Sequence, residues 1–123
     1  MNEIKLIVDW NKIANNNTHN YHLANSMLVE ELAETVIAMK TKDYTEMLDW
    51  ILDIFFIWIG ELHKVWFSSE QINLALNRII ENNYSKFTKD ELWTLVCKRD
   101  SNWKIIKPTW FIPVDLSDII PNS

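Results

Sequence analysis

The residues of this chain most able to do chemistry are carboxylates, and their spacing is helical. The stretch "EELAE" places Glu30, Glu31 and Glu34 within one helical turn of each other. A second acidic group follows at the spacing i, i+3, i+7, which also forms one stripe along a helix: Glu46, Asp49 and Asp53. Carboxylates grouped in this way are typical ligands of hard cations such as Mg²⁺, which binds protein oxygens and substrate phosphates together.

The spacer "TKD" at 41–43 predicts a turn between the two acidic stretches, so their helices should form an antiparallel hairpin. Packed helices lie about 8–10 Å apart, which brings the two acidic stripes opposite each other. Four or more carboxylates at that separation cannot all stay ionised without compensating charge. Either a cation lies between the helices, or the acids form solvated faces. Asp53 favours a cation, because a solvated position is hard to arrange in the apolar run "ILDIFFIWIG".

The elements that must position these acids are helices. Apolar residues recur every three to four positions, and one glycine and three prolines are too few for many tight turns. We therefore expect an all-α fold with one domain over residues 1–123. The predicted helices cover 2–13, 21–40 and 44–65, and a fourth runs from the capping signal "SSEQ" at 68–71 to about residue 82. A short strand or helix at "LWTLVC" and an extended tail from about 100 to 123 follow, and no internal repeat is evident.

The third predicted helix also predicts an oligomer. Between Ile51 and Ile59 it is apolar nearly all round, apart from Asp53. A helix of that kind is covered on more than one side, and a chain of 123 residues has little else to cover it with. We expect a second copy of the chain to supply the missing surface, as a homodimer or a tetramer.

Composition limits the classes of function. The net charge of -5 provides no general attraction to nucleic acid or to anionic membranes, so neither is expected as a partner. Cys97 is the only cysteine, which excludes an internal disulfide and fits a reducing cytoplasm. No run is long and apolar enough to predict a membrane span, and the first residues lack the pattern of a secretion signal.

The acidic stretches resemble the all-α nucleoside triphosphate pyrophosphohydrolases, a superfamily that includes MazG proteins, dimeric dUTPases and phosphoribosyl-ATP pyrophosphohydrolases. Its pattern is EExxE followed by ExxD, and "EELAE" matches the first half. Two registers remain open for the second half. "EMLD" fits it literally with Glu46 and Asp49, whereas "LDWILDIFFIWIG" resembles the family segment that ends on Asp53 and Gly60. In the second register, which we favour, Trp50 stands where a glutamate is usual and Asp49 takes over as ligand.

Two later segments resemble the MazG-like branch related to phosphoribosyl-ATP pyrophosphohydrolases. "ALNRIIENNYSKF" carries Asn83 and Lys86, the polar pair that the resemblance places near substrate phosphates. "NWKIIKPTWFIPVDLSDII" resembles the closing segment of that branch, and Lys104 and Lys107 match its lysines. Together the three segments span about residues 20–120. The resemblance implies a four-to-five-helix MazG-like bundle that is oligomeric.

The resemblance further implies a hydrolase that converts a (d)NTP and water to a (d)NMP and pyrophosphate, in a nucleotide-pool house-cleaning role. Mg²⁺, with Mn²⁺ as an alternative, would be held by four carboxylates: Glu31, Glu34, Asp49 and Asp53. Glu30 would orient or deprotonate the attacking water. Trp50 is a candidate for stacking on the base, although a tryptophan at helical spacing more often belongs to a core. Narrower specificity for dUTP or phosphoribosyl-ATP is an alternative, and so is a non-catalytic helical oligomer that binds a nucleotide or a protein.

Overall fold

The computed structural model describes residues 2–122, which fall into two compact units. The first comprises residues 2–72 together with 121–122, and the second comprises Asn73–Ile120. Within these residues the secondary structure consists of four α-helices and one small two-stranded sheet. The expectation of an all-α fold is therefore confirmed at the level of fold class.

The helices begin and end close to the predicted positions. They are α1 (Glu3–Ile13), α2 (Tyr21–Lys40), α3 (Tyr44–Lys64) and α4 (Ser69–Tyr84), and only α4 runs two residues further than expected. Local capping explains this agreement. The side chains of Asn2, Asn20 and Asp43 each accept a hydrogen bond from the main-chain N–H three residues later, at 3.1 Å in every case.

The start of α4 is a capping box. Ser68 Oγ accepts from the N–H of Gln71 at 3.1 Å, and Gln71 Oε1 accepts from the N–H of Ser68 at 2.9 Å. Each side chain thereby satisfies a main-chain donor that the first helical turn leaves open. The signal "SSEQ" alone was sufficient to predict this boundary, because both partners lie within four residues.

In the first unit, α3 packs against both α1 and α2. The buried core lies on the α1 side of α3, where two partly buried phenylalanines, Phe56 and Phe67, extend it. Its buried members are Ile4, Ile7, Val8, Ile59 and Ile72. Gly60 is buried at the same crossing, and a side chain there would meet Asn11. The glycine therefore allows α1 and α3 to approach closely.

The faces of α2 and α3 that point away from this core are largely apolar and exposed. On α2 they include Val29, Leu32, Val36 and Ile37, which are 53–61% exposed. On α3, Leu48, Leu52 and Trp58 are more than half exposed, and Phe55 is 40% exposed. Asp53 is also exposed, contrary to our expectation that a solvated position would be hard to arrange. The reason is that α1 and α2, the helices that pack on α3, leave this position open to water.

The second unit contains the greater part of α4 and two successive β-hairpins. In the first hairpin, β1 (Thr88–Lys89) pairs antiparallel with β2 (Leu95–Val96). In the second, Arg99 and Ile105 form an isolated antiparallel bridge. The expected extended tail therefore begins later than residue 100. Within this unit its C-terminal part is tied to α4, because Arg78 binds both carboxylate oxygens of Asp118, at 2.6 and 2.9 Å.

The turns of this chain are made without glycine. Among residues 2–122, five have a positive φ between 58° and 76°, and each of them carries a side chain: Asn15, Lys42, Trp66, Trp93 and Trp103. This backbone conformation is the one that glycine adopts most easily, whereas other residues are strained in it. A low glycine count therefore did not mean few turns, which qualifies the compositional argument made from the sequence.

Candidate metal and nucleotide site

The acidic residues of α2 and α3 act on one another across the helix hairpin. Glu31 is half-buried, and burial raises the pKa of its carboxyl group. The negative charges of four neighbours raise that pKa further: Glu34, Asp53, Glu30 and Asp49. We call these five residues the acidic cluster. Two of its members come from α3, so the hairpin brings carboxylates of both stretches within electrostatic range of Glu31.

One oxygen of Glu31 is the least satisfied atom of this cluster. Its Oε2 is buried and has no hydrogen-bond partner among the described residues. A buried acceptor without a partner costs free energy, about 1–3 kcal/mol in typical measurements and more when it is charged. The absence of a cationic side chain at this oxygen, within the part of the chain described, makes it a position where a cation or a donor from a ligand would stabilise the protein.

Glu61 shows how the same chain satisfies an acid when it uses the acid for structure. Its carboxylate is only 12% exposed and lies between two basic groups. His19 Nδ1 is 2.9 Å from Oε2, and Lys64 Nζ is 3.0 Å from Oε1. Both oxygens of Glu61 thus have basic partners, whereas the charged groups that act on Glu31 are all acids and its Oε2 has no hydrogen-bond partner among the described residues. The contrast separates a structural carboxylate from a candidate ligand.

The donor set of the acidic cluster fits a hard divalent cation in its chemistry, because all of its groups are carboxylates and one oxygen is without a partner. Within residues 2–122, no group of three or more Asp, Glu, His or Cys side chains is arranged so that it could hold a metal ion as it stands. Mutual repulsion opposes the close approach of five carboxylates, so assembly of a complete coordination sphere would require the cation itself.

The remaining acid, Glu46, belongs to the first turn of α3, where its N–H donates to Asp43. It is exposed and is absent from the charges that act on Glu31. Trp50, the residue that occupies the usual glutamate position in our favoured register, is half-buried. The α3 acids whose charges act on Glu31 are thus Asp49 and Asp53, the pair in our favoured register, and not Glu46.

An apolar groove lies along the same hairpin of α2 and α3. It has a volume of about 440 Å³ and runs between the first half of α2 and the second half of α3. Leu28, Leu32, Ile54 and Trp58 form its walls, and the paired His19 lies at its edge. The sequence did not point to this groove, since each of its apolar residues has the spacing of an ordinary core position. Leu32 directly follows Glu31 in the chain, although no residue of the acidic cluster lines the groove.

In the second unit, three of the four residues matched to substrate phosphates come together. Lys86 Nζ donates to Asn83 Oδ1 at 2.8 Å. Lys86 and Lys107 also share an aromatic neighbour, because their ammonium groups lie 5.6 and 5.4 Å from the centre of the Phe111 ring. Lys104 lies apart in the second hairpin, where its main-chain N–H donates to Asp100.

Comparison with protein-family models, with curated proteins and with solved structures finds no match to this chain. The resemblance to pyrophosphohydrolases thus rests on the residues named above. No helix in the described part of the chain is long and apolar enough to cross a membrane.

Proposed function

We propose that this protein is a metal-dependent nucleoside triphosphate pyrophosphohydrolase that acts in the nucleotide pool. The observation that carries the proposal is the buried, unpartnered oxygen of Glu31, with four further carboxylates acting on it from two helices. A structural acid of this chain is paired, as Glu61 is. Repulsion between neighbouring carboxylates makes the free energy of folding less favourable, and groups perturbed in this way are concentrated at functional sites.

The carboxylates divide into two roles. Glu31, Glu34, Asp49 and Asp53 would hold the cation, with Glu31 as the most buried oxygen donor. Glu30 is exposed and next to Glu31 in the chain, so it is free to orient a water molecule or to accept its proton as that water attacks the α-phosphorus. When bound, Mg²⁺ would neutralise the triphosphate and the charge that develops on the departing pyrophosphate.

The proposed substrate contacts are Asn83, Lys86, Lys104 and Lys107 for the phosphates and Trp50 for the base. The pairing of Asn83 with Lys86 supports a shared role, since the amide fixes the direction of the ammonium group. The shared ring of Phe111 holds Lys86 and Lys107 in one region, where two positive charges would favour an anionic ligand.

The proposal includes a homodimer or a tetramer as the working form. The exposed apolar residues of α2 and α3 support it, because a lone chain would leave Leu32, Val36, Leu52 and Trp58 more than half in water. Sedimentation of the purified protein tests it, and a monomer at micromolar concentration would refute it. A cytoplasmic location stays a prediction that rests on Cys97.

The decisive assay measures pyrophosphate release from each dNTP in the presence of Mg²⁺. We expect release with at least one dNTP, and its loss in Glu31→Gln and Asp53→Asn, which remove charge without changing shape. Glu46→Gln is the matched control: it removes an exposed acid of the same helix that lies outside the acidic cluster, so activity should persist. No release from folded wild-type protein with any nucleotide, dUTP and phosphoribosyl-ATP included, would refute the proposal.

The same variants decide between the two registers. If Asp53→Asn retains activity while Glu46→Gln and Asp49→Asn lose it, the literal "EMLD" register is correct and the assignment of Asp53 is wrong. Substrate competition separates a general activity from one specific to dUTP or to phosphoribosyl-ATP.

A non-catalytic helical oligomer is the second candidate, and the tryptophan at position 50 favours it, since the family usually keeps an acid there. Thermal unfolding with and without Mg²⁺ discriminates between the two. A cation that binds only the folded protein should raise the free energy of unfolding by about 1.4 kcal/mol at ten times its Kd. The absence of any shift at millimolar Mg²⁺, together with absent turnover, would support the non-catalytic role.

A further inference from the structure

The two hairpins of the second unit are copies of one motif. Residues 88–97, "TKDELWTLVC", and 98–107, "KRDSNWKIIK", align without gaps, with a basic residue, an aspartate and a tryptophan at equivalent positions. In each copy the N–H of the tryptophan donates to the carbonyl of the aspartate at 3.0 Å: Trp93 to Asp90 and Trp103 to Asp100. The repeat is not evident from the sequence alone, because only these three of the ten aligned positions have identical or like-charged residues.

The aspartates close the two loops in the same way. Asp90 Oδ1 accepts main-chain N–H groups from Leu92 and Thr94, both at 2.9 Å. Asp100 Oδ1 accepts from the residues at the equivalent positions, Asn102 and Lys104, at 2.9 and 3.0 Å. In each loop the aspartate Oδ1 thus accepts two main-chain hydrogen bonds, which stabilise the turn.

Both tryptophans are strained and exposed. Their φ angles are 62° and 67°, in the left-handed region where a side chain costs about 1–2 kcal/mol. Trp93 is 77% exposed and Trp103 is 74% exposed. Burial of the ring against the described chain therefore does not offset the backbone strain at either position. Residues held in strained conformations cluster at ligand-binding positions.

A cation lies over each ring. Lys89 Nζ is 5.1 Å from the ring centre of Trp93, and the guanidinium carbon of Arg99 is 4.7 Å from that of Trp103. Arg99 also donates to the carbonyl oxygen of Trp103 at 2.7 Å, which fixes the pair. The repeated unit is therefore a largely exposed tryptophan ring with a cation over one of its faces.

We propose that the tandem hairpins bind single-stranded nucleic acid, with a base stacked on each tryptophan and phosphates drawn to Lys89 and Arg99. Stacking platforms combined with basic side chains are the usual means of binding single strands without sequence preference. A polynucleotide repeats base and phosphate along its length, as the hairpins repeat ring and cation. The charge is also local: residues 86–107 contain six Lys or Arg and three Asp or Glu, although the whole chain has a net charge of -5.

This proposal revises the expectation that nucleic acid is excluded as a partner. That expectation used the net charge of the whole chain, which averages an acidic first unit with this basic segment. A membrane fits the hairpins less well, because both loop tips carry polar side chains: Glu91 beside the exposed Leu92 in one copy, and Ser101 and Asn102 in the other. Polar and acidic tips would have to lose water on entering a lipid surface.

Fluorescence anisotropy of a labelled single-stranded oligonucleotide of about 20 nucleotides tests the proposal. We expect saturable binding that weakens as salt rises, and weaker binding of a duplex of the same length, whose bases are stacked inside. Trp93→Gly and Trp103→Gly should each lower the affinity at least about fivefold, because one stacked base typically contributes between about fivefold and 150-fold. Glycine suits the positive φ, so these variants should keep the fold.

Trp66→Gly is the matched control, because Trp66 is also exposed and left-handed, with φ 76°, but lies in the first unit. It should leave the affinity for the oligonucleotide unchanged, and pyrophosphate release should be unaffected in all three variants. Lack of binding at about 100 µM protein would overturn the proposal. So would unchanged affinity in the Trp93→Gly/Trp103→Gly double variant, or tryptophan-dependent binding to anionic vesicles without binding to the oligonucleotide.

Discussion

Gly60→Ala should destabilise the first unit, although the substitution normally stabilises a helix. A Cβ at this position would lie 3.0 Å from Oδ1 and 3.2 Å from Nδ2 of Asn11. Favourable contacts of a carbon atom begin at about 3.5 Å, so Asn11 would have to move by a few tenths of an ångström. Asn11 is 3% exposed and has little room to move.

Two hydrogen bonds hold Asn11 in place and set the magnitude of the effect. Its Nδ2 donates to the carbonyl of Ile7 at 2.9 Å, and its Oδ1 accepts from Asn16 Nδ2 at 3.0 Å. Overpacking a buried site costs about 1–3 kcal/mol, and replacing glycine by alanine inside a helix returns about 1 kcal/mol. With a mid-range cost, the free energy of unfolding should fall by about 1 kcal/mol.

A double-mutant cycle separates the two terms. In an Asn11→Ala background the obstacle is gone, so Gly60→Ala should raise the free energy of unfolding by about 1 kcal/mol. The coupling between the positions should then be about 2 kcal/mol, measured by urea and thermal unfolding followed by circular dichroism at one protein concentration. A shift of about 4–8 °C per kcal/mol makes both changes readable for a small unit. If Gly60→Ala stabilises equally in both backgrounds, the close approach of α1 and α3 is not a constraint and the reasoning is wrong.

Three further predictions concern charge and backbone. Because the pKa of Glu31 is raised above its ordinary 4.5, the protein in EDTA should lose stability as pH rises from 4.5 through that raised pKa, and Glu31→Gln should remove this part of the dependence in thermal unfolding. The pH dependence due to Asp118 runs in the opposite direction, because Arg78 lowers the pKa of this carboxyl group below 3.8. The stability that the pair contributes should therefore be lost as pH falls through that lowered pKa. Asp118→Asn should speed hydrogen exchange of the neighbouring main chain at about pH 7 but not in strong acid. Lys42→Gly should raise the free energy of unfolding by up to about 1 kcal/mol, since Lys42 is exposed with φ 58°, and unchanged or lower stability in urea unfolding would contradict the strain that we assign to it.

Helix boundaries were predictable from the sequence because their causes are local. Asn20 and Asp43 cap helices whose first N–H groups lie three residues away, so a short stretch contains both partners. The hairpin of α2 and α3 follows for the same reason, since only a three-residue turn separates the two helices. The acidic stretches could therefore be placed on adjacent helices before any tertiary contact was known.

The exposure of individual side chains was not predictable, because it depends on which elements cover a given face. Asp53 was expected among apolar neighbours away from water, yet it is exposed, since α1 and α2 leave that side of α3 open. The pairing of Glu61 with His19 joins residues 42 positions apart, and no local pattern predicts it.

The sequence by itself determined the helical class, the helix ends and the two acidic stretches, because these depend on spacing and on partners within a turn. Only the tertiary structure decided which carboxylate oxygen is buried without a partner, where Gly60 lets two helices meet, and that Trp93 and Trp103 occupy equivalent strained turns. The first two features depend on contacts between residues far apart in the chain. The third depends on positive φ angles, which the residue type tryptophan does not predict.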